Sequence, residues 1–418
     1  MVERAKLTEN RLLVAPKSKL HSIPPALLQK TGKDLPYNYQ ISQRWHVGEG
    51  YKSPDDWKDS IPKDVTHVPV FMGVSGYGCN TVTTEDGQEV SYYSWFFDAL
   101  ADKYPKTAKL SGIPPMMHSF CWPGSHMSIQ EEQNVQRSTD PYSIKYQPAI
   151  FMQMLGQFVK NSREALPSHV TELDGTVVSH SMGARAAIQA FHNLGQIEDG
   201  KELKKQIDLL ASRNGFDKVR LNAVFMAPAF GLAPPATRAL RLFQPMEMAD
   251  RAMEKLTKHV PVTGTIFRAY RQLSEAPFRA TLRRGLNDEW AQFLTGLEFG
   301  DPTGFLRYFA DNNNPHLLVR QGHEIMAGSH GIDVFSLDNI GRVAGVRMLA
   351  VSHGRDNFVD SSWSTHTFGN PSNSADKKWH NPTHVLSATD ASHTECLEDP
   401  ARIAEIVLRH TIPTYNRS

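Results

Sequence analysis

Residues 176–185 read Thr176-Val177-Val178-Ser179-His180-Ser181-Met182-Gly183-Ala184-Arg185. A β-branched run ends in small residues, and a helical pattern with Ala186, Ala187, Ala190, Phe191 and Leu194 on one face follows at once. Strand, sharp turn and helix in this order are the setting in which a small-x-Ser-x-Gly turn presents a nucleophilic serine. Positions two before and two after the serine crowd the neighbouring strand and helix, so only small side chains fit there. Gly183 meets that need, and Ser179 stands where a glycine is usual. The stretch makes Ser181 the candidate nucleophile; the alternative is a serine in an ordinary strand-to-helix turn.

Outward from this turn the chain alternates. Val68 to Val74 reads as a strand, and Ser91 to Ala101 as a helix through Trp95, Phe96, Ala99 and Leu100. Pro115 to Trp122 reads as a second strand. Residues 148–165 place Ile150, Phe151, Met154, Leu155, Phe158 and Val159 on one helical stripe. Asp174-Gly175 reads as a turn before the elbow strand, and Val219 to Ala227 as a further strand. Such alternation predicts an α/β fold with a mainly parallel central sheet flanked by helices. From about residue 232 to 345 the pattern is mostly helical, which predicts a large cap inserted into the sheet domain. Val346 to Ser352 and Thr383 to Ala388 restore strands. Asp399-Pro400 then opens a last helix as N-cap and first residue. The expected organisation is an extended N-terminal arm over 1–60, a core in two parts over 61–231 and 346–418, and a helical cap over 232–345.

The composition sets outer bounds. The chain has 418 residues, 40% hydrophobic, with a net charge of +1. That balance argues against a nucleic-acid partner recruited by bulk charge. Cys79, Cys121 and Cys396 are far apart and form no C-x-x-C, which argues against a disulfide scaffold or a zinc site. No apolar signal region opens the sequence and no uncharged apolar run reaches membrane-spanning length. A cytoplasmic location is the expectation, with signal-independent export left open.

A serine hydroxyl is a poor nucleophile near neutral pH and needs a base, itself oriented by an acid. On an open parallel sheet these groups belong on loops past the carboxyl ends of strands. Two loops qualify: Ser352-His353-Gly354-Arg355-Asp356 after one strand, and Ala391-Ser392-His393 after the last. The resulting order is serine, acid, histidine: Ser181, Asp356, His393. With these residues in that order, the chain resembles the α/β-hydrolase fold over roughly 65–418, apart from the helical insertion. The Gly354-Arg355-Asp356 loop is one residue shorter than the common glycine-then-acid spacing. Resemblance implies Ser181 as nucleophile, His393 as base and Asp356 as orienting acid. Asp360 and Asp390 compete for the acid, and His353, His366, His380 and His384 for the base. The family's acids sit directly after the strand, which favours Asp356. The other histidines read as surface or hydrogen-bonded structural residues. His180 reads as packing beneath the elbow rather than as catalytic.

Acyl transfer also needs two N–H donors for the oxyanion. The resemblance implies Met182 as one and Tyr77 as the other, with Gly76 keeping the backbone close in Ser75-Gly76-Tyr77-Gly78. The alternative for this loop is a glycine-rich β-turn. Ser75 replaces the histidine usual in the family.

Between Thr237 and Gly285 stand ten Lys or Arg and only four acids, interleaved with apolar residues. Such a cap could meet an anionic membrane, or its basic face could simply be solvated. The expected activity is hydrolysis of a carboxylic ester, lipid-like or small, with no metal and no organic cofactor. A thioesterase or acyltransferase with the same triad is the alternative within enzymes. A catalytically silent binding scaffold is the alternative outside them.

Overall fold

The computed structural model describes residues 16–31, 35, 37–76, 82–83, 89–107, 113, 115–123, 139–259, 265–267, 269–275, 314–327, 340–360, 362, 383–388, 392–393 and 399–415. Its strands are β1 (Lys19–Leu28), β2 (Tyr39–Val47), β3 (His67–Val74), β4 (Val82–Thr83), β5 (Glu89–Val90), β6 (Met116–Phe120), β7 (Glu172–His180), β8 (Lys218–Met226), β9 (Arg347–His353) and β10 (Thr383–Ala388). Its helices are α1 (Pro54–Asp59), α2 (Ser94–Thr107), α3 (Gln147–Ala165), α4 (Met182–Gly195), α5 (Lys201–Arg213), α6 (Pro234–Leu242), α7 (Gln244–His259), α8 (Pro315–Ala327) and α9 (Pro400–Tyr415).

The main sheet has the order β1-β2-β6-β3-β7-β8-β9-β10, and β4 pairs with β5 apart from it. Neighbours from β6 to β10 are parallel, while β2 runs antiparallel to both β1 and β6. The chain passes from β3 to β6 on one side and returns to β7 on the other. The carboxyl ends of β3 and β7 therefore form the topological switch point, where an open sheet leaves a crevice for a site.

The strands beneath this crevice are buried on both faces, as expected for parallel strands covered by helices. On one side Phe151, Phe158, Phe191 and Ile207 of α3, α4 and α5 pack on Val70, Met72, Val177 and Phe225. On the other, Phe96, Phe97 and Leu100 of α2 and Ile403, Val407 and Leu408 of α9 pack on Phe71, Val178, Val224 and Val351. The Asp399 carboxylate accepts the Arg402 N–H at 3.2 Å, so Asp399 does cap α9.

Three sequence expectations change. The segment 1–60 contains two strands of the main sheet and α1, where an arm is predicted. β2 buries Tyr39, Ile41, Gln43 and Trp45 in alternation, and then buries His46 together with Val47. Pro24-Pro25 masks β1: its register shifts between Ile23 and Ala26. An edge strand tolerates the missing donors that would disrupt an interior strand. Asp174-Gly175 is also strand, not turn. The buried Asp174 carboxylate pairs with Arg220 at 3.1 Å. A Cβ at Gly175 would lie 2.9 Å from Leu221 Cδ2, so a side chain there would have to move the end of Leu221 aside. Finally, α5 lies between α4 and β8, where no element was predicted.

The insertion that carries α6, α7 and α8 leaves the sheet after β8 and returns to it at β9, the adjacent parallel strand. Its start is stitched to the loop after β9. The Ala233 N–H donates to Phe358 O at 3.0 Å, and the Asp360 N–H to Gly231 O at 3.1 Å. Farther out the insertion rests on the core through buried charge. Glu254 of α7 accepts from Arg271 at 3.1 Å, from Arg320 of α8 at 3.0 Å and from the Thr139 N–H at 2.8 Å. Glu324 of α8 accepts from Ser143 Oγ at 3.1 Å and from the Ile144 N–H at 2.9 Å. Buried ions are held by such multiple partners, and removing one partner typically costs about 3–5 kcal/mol.

Candidate active site

Ser181 joins β7 to α4 with φ 53° and ψ −118°, a left-handed backbone on a residue with a side chain. Its N–H donates to Met226 O at 2.8 Å, and its carbonyl accepts the Ala229 N–H at 3.2 Å and the Arg185 N–H at 3.0 Å. Those bonds hold the strained turn from β8 and from α4. Strain of this kind costs about 1–3 kcal/mol and persists where the surroundings over-determine it. A serine at a helix start ordinarily caps it with its hydroxyl. Ser181 makes no side-chain cap bond, and its Oγ faces His393 instead.

The glycines explain why the turn is tight. A Cβ at Gly183 would lie 2.4 Å from Val74 O and 2.6 Å from Ser75 O. One at Gly76 would lie 2.8 Å from Ser181 Cβ. Ser179 is buried, and its hydroxyl donates to Val224 O of β8 at 3.3 Å. That bond satisfies the one polar group a serine adds where glycine is usual.

His393 Nε2 lies 3.1 Å from Ser181 Oγ, and its Nδ1 lies 2.7 Å from Asp356 Oδ2. Asp356 can only accept, so Nδ1 donates and Nε2 is the basic nitrogen facing the hydroxyl. The other Asp356 oxygen accepts the N–H groups of Phe358 and Val359, both at 2.8 Å. Burial works to raise the Asp356 carboxyl. The charge and hydrogen bond of His393 and the Val359 N–H outweigh it and leave the group below its ordinary range. Asp360 faces elsewhere, its carboxylate accepting the Ser362 N–H at 2.9 Å.

Two histidines that sequence reasoning set aside hold the loop of His393. His180 Nε2 donates to the main-chain oxygen of His393 at 2.7 Å, and its ring stacks on Tyr92 at 4.9 Å between centroids. Burial, then the neighbouring His393 and His353, pushes the His180 ring well below its ordinary value and keeps it neutral. His353 is buried, not a surface residue, and burial lowers it to about 4 while it bonds the main chain of Ser392. The pattern could have flagged His353, because the apolar run Met348-Leu349-Ala350-Val351 of β9 leads straight into it.

Met182 is the first residue of α4, so its N–H has no acceptor within the helix and stands beside Ser181. The positive end of α4 favours negative charge at that point. Trp122 Nε1 donates to Ser75 O at 2.7 Å and fixes the start of the facing loop. Nothing in the sequence pointed to this role of Trp122. Tyr77, Asp390, His366 and His380 lie outside the described residues, as does the side chain of His384.

Strand order, switch point and elbow together decide the architecture. The chain has the α/β-hydrolase fold. Solved structures similar to it include a peroxisomal α/β-hydrolase of Saccharomyces cerevisiae, 12% identical over 96% of this chain and 90% of that one, with a TM-score of 0.42. Naproxen esterase of Bacillus subtilis is 12% identical over 97% and 96% of the two chains, with a TM-score of 0.40. A carboxylesterase of Nitrososphaera gargenis is 11% identical over 94% and 100%, with a TM-score of 0.42. No family model and no curated protein matches the sequence. Among the described residues no helix is long and apolar enough to cross a membrane.

Within this α/β-hydrolase fold, the elbow of β7–α4, the loop after β9 and the loop after β10 bring Ser181, Asp356 and His393 into one hydrogen-bonded line. Residues far apart in the chain meet because their strands end at the same edge of the sheet.

Proposed function

We propose that the chain is a serine hydrolase that cleaves carboxylic esters through an acyl-enzyme on Ser181. One observation carries this reading: Ser181 Oγ, His393 and Asp356 follow one another at 3.1 and 2.7 Å. His393 takes the hydroxyl proton as Oγ attacks the ester carbonyl, and Asp356 steadies the imidazolium. The oxyanion is received by the N–H of Met182 and by that of Tyr77. Collapse expels the alcohol with the proton from His393, and water then releases the acid by the same relay.

A substrate with an apolar acyl part fits the surroundings. Met182, Ala229 and Val359 form one apolar cluster with Ile144 and with Ile325 of the cap helix α8. The Phe358 ring lies 5.4 Å from that of His393. On the outside of the cap, Met248 and Leu256 of α7 are exposed beside the exposed Lys255, which supports peripheral contact with an anionic membrane.

Hydrolysis of p-nitrophenyl esters from acetyl to palmitoyl tests the reading, with Ser181→Ala as the blank. Turnover that the variant loses, and fluorophosphonate labelling that it also loses, are the expected results. Turnover equal in the two proteins would remove Ser181 from the chemistry.

A further inference from the structure

Arg185 lies one helical turn past Ser181, on α4. Residues four apart share a helix face, and side chains lean toward the helix N-terminus, here toward the nucleophile. Arg185 is 6% exposed, and its Nε and Nη1 have no hydrogen-bond partner among the described residues. Its Cζ lies 5.7 Å from the centre of the Phe230 ring, in the loop that follows β8. Glu324 of the cap acts on it through space but makes no ion pair with it. The Glu324 carboxylate is already occupied by Ser143, Ile144 and Arg320. Burial lowers the guanidinium to about 10, which still leaves it charged at neutral pH.

A buried cation with unfilled donors opposes folding. Every other strongly buried charge described above has a direct partner: Asp174 has Arg220, Arg271 has Glu254, and Asp356 has His393. Arg185 is the exception, and it sits at the seam of the nucleophile helix, the loop after β8 and the cap. Phe230 covers its face, while Nε and Nη1 meet no hydrogen-bond partner among the described residues. A planar fork of N–H groups matches a carboxylate or a phosphate.

We propose that Arg185 is the anion-binding residue of this site, receiving a carboxylate or phosphate carried by the ester substrate. The substrate class is then an amphiphilic ester, with an apolar part against Met182, Ala229 and Ile325 and an anionic part on Arg185. This inference rests on the reading of Ser181 as nucleophile.

Two matched pairs of esters test it. Mono-p-nitrophenyl glutarate against p-nitrophenyl valerate puts the anion on the acyl side. The p-carboxyphenyl ester of valerate against the phenyl ester puts it on the alcohol side. The wild type is expected to favour the anionic member of one pair by about tenfold or more in kcat/KM. Arg185→Met should bring that ratio close to one, with Tm unchanged or raised because an orphaned cation has gone. If Arg185→Met does not fold, Arg185→Lys decides: a lysine lacks the fork, so the ratio should fall severalfold. A wild-type ratio near one on both pairs, or a ratio unchanged in the variants, overturns the proposal.

Failure of the Ser181 reading is seen separately, as turnover that persists in Ser181→Ala or is absent from the wild type. Binding then decides for Arg185. In Ser181→Ala protein, glutarate or inorganic phosphate should raise Tm, and Arg185→Met in the same background should abolish the rise. The anion that acts tells carboxylate from phosphate. No rise with either anion overturns the proposal.

Discussion

The Nε2 of His180 lies 2.7 Å from the main-chain oxygen of His393, so the residue before the candidate nucleophile grips the loop of the candidate base. Burial keeps the ring neutral, and the carbonyl oxygen can only accept, so Nε2 carries the proton. His180→Phe keeps the packing on Tyr92 and removes the donor. The variant is expected to lose about 10–100-fold in kcat with KM little changed, since a base displaced by a fraction of an ångström no longer lies in line. His180→Gln should recover part of the loss. Full kcat in His180→Phe would show that the loop is held without this bond.

Asp356 and Asp360 offer a direct comparison within one loop. Asp356→Asn removes the acceptor that fixes His393 Nδ1–H and should lower kcat by about 10³–10⁴-fold. Asp360→Asn should stay within a few-fold of wild type, because among the described residues that carboxylate bonds Ser362 and not His393. Steady-state kinetics on one ester decides the order, and an equal loss in both would reassign the acid.

At Gly183 a Cβ would meet the carbonyl oxygens of Val74 and Ser75, which belong to backbone and cannot rotate away. Gly183→Ala should destabilise the fold by about 3 kcal/mol or more in urea unfolding. At Gly76 the obstruction is Ser181 Cβ itself. Gly76→Ala should therefore lower kcat more than it lowers Tm. A Gly183→Ala protein as stable as wild type would mean that the elbow has more room than this packing shows.

Acid should weaken the fold before it reaches the carboxylates. Burial holds His353 at about 4, against about 6.5 when unfolded. Between those values the unfolded chain binds the proton and the folded chain does not, so stability rises with pH across the window and is flat above it. The lowered value corresponds to about 3 kcal/mol lost on going from pH 7 to below 4. His353→Gln should flatten the fall of Tm between pH 6.5 and 4. A slope unchanged by the substitution would assign the acid sensitivity to other groups, His46 and His180 first among them.

How far the sequence could be read depended on how local each signal was. The elbow was legible because strand, small residues and helix are contiguous from Thr176 onward. Asp356 and His393 were legible because each stands on the loop that follows a strand signal, three residues after β9 and five after β10. β1 and β2 were missed because Pro24-Pro25 and a half-polar β2 hide a period of two that only pairing with β6 makes buried. Asp174 looked like a turn residue because its partner Arg220 lies on another strand. The grips of His180 and His353 on the 392–393 loop, and the tie of Trp122 to Ser75, are made between segments distant in sequence. No pattern within one segment carries them.

The stitching of residues 231–233 to 358–360 anchors the cap where it leaves the core, each of the two segments donating one hydrogen bond to the other. These bonds hold the acid loop beside Asp356, while α7 and α8 are seated by their own ties to Thr139, Ser143 and Ile144. Substitutions confined to the exposed outer face of α7, at Met248, Lys255 and Leu256, are therefore expected to change turnover of an ester presented in anionic vesicles and to leave turnover of a small soluble ester in place.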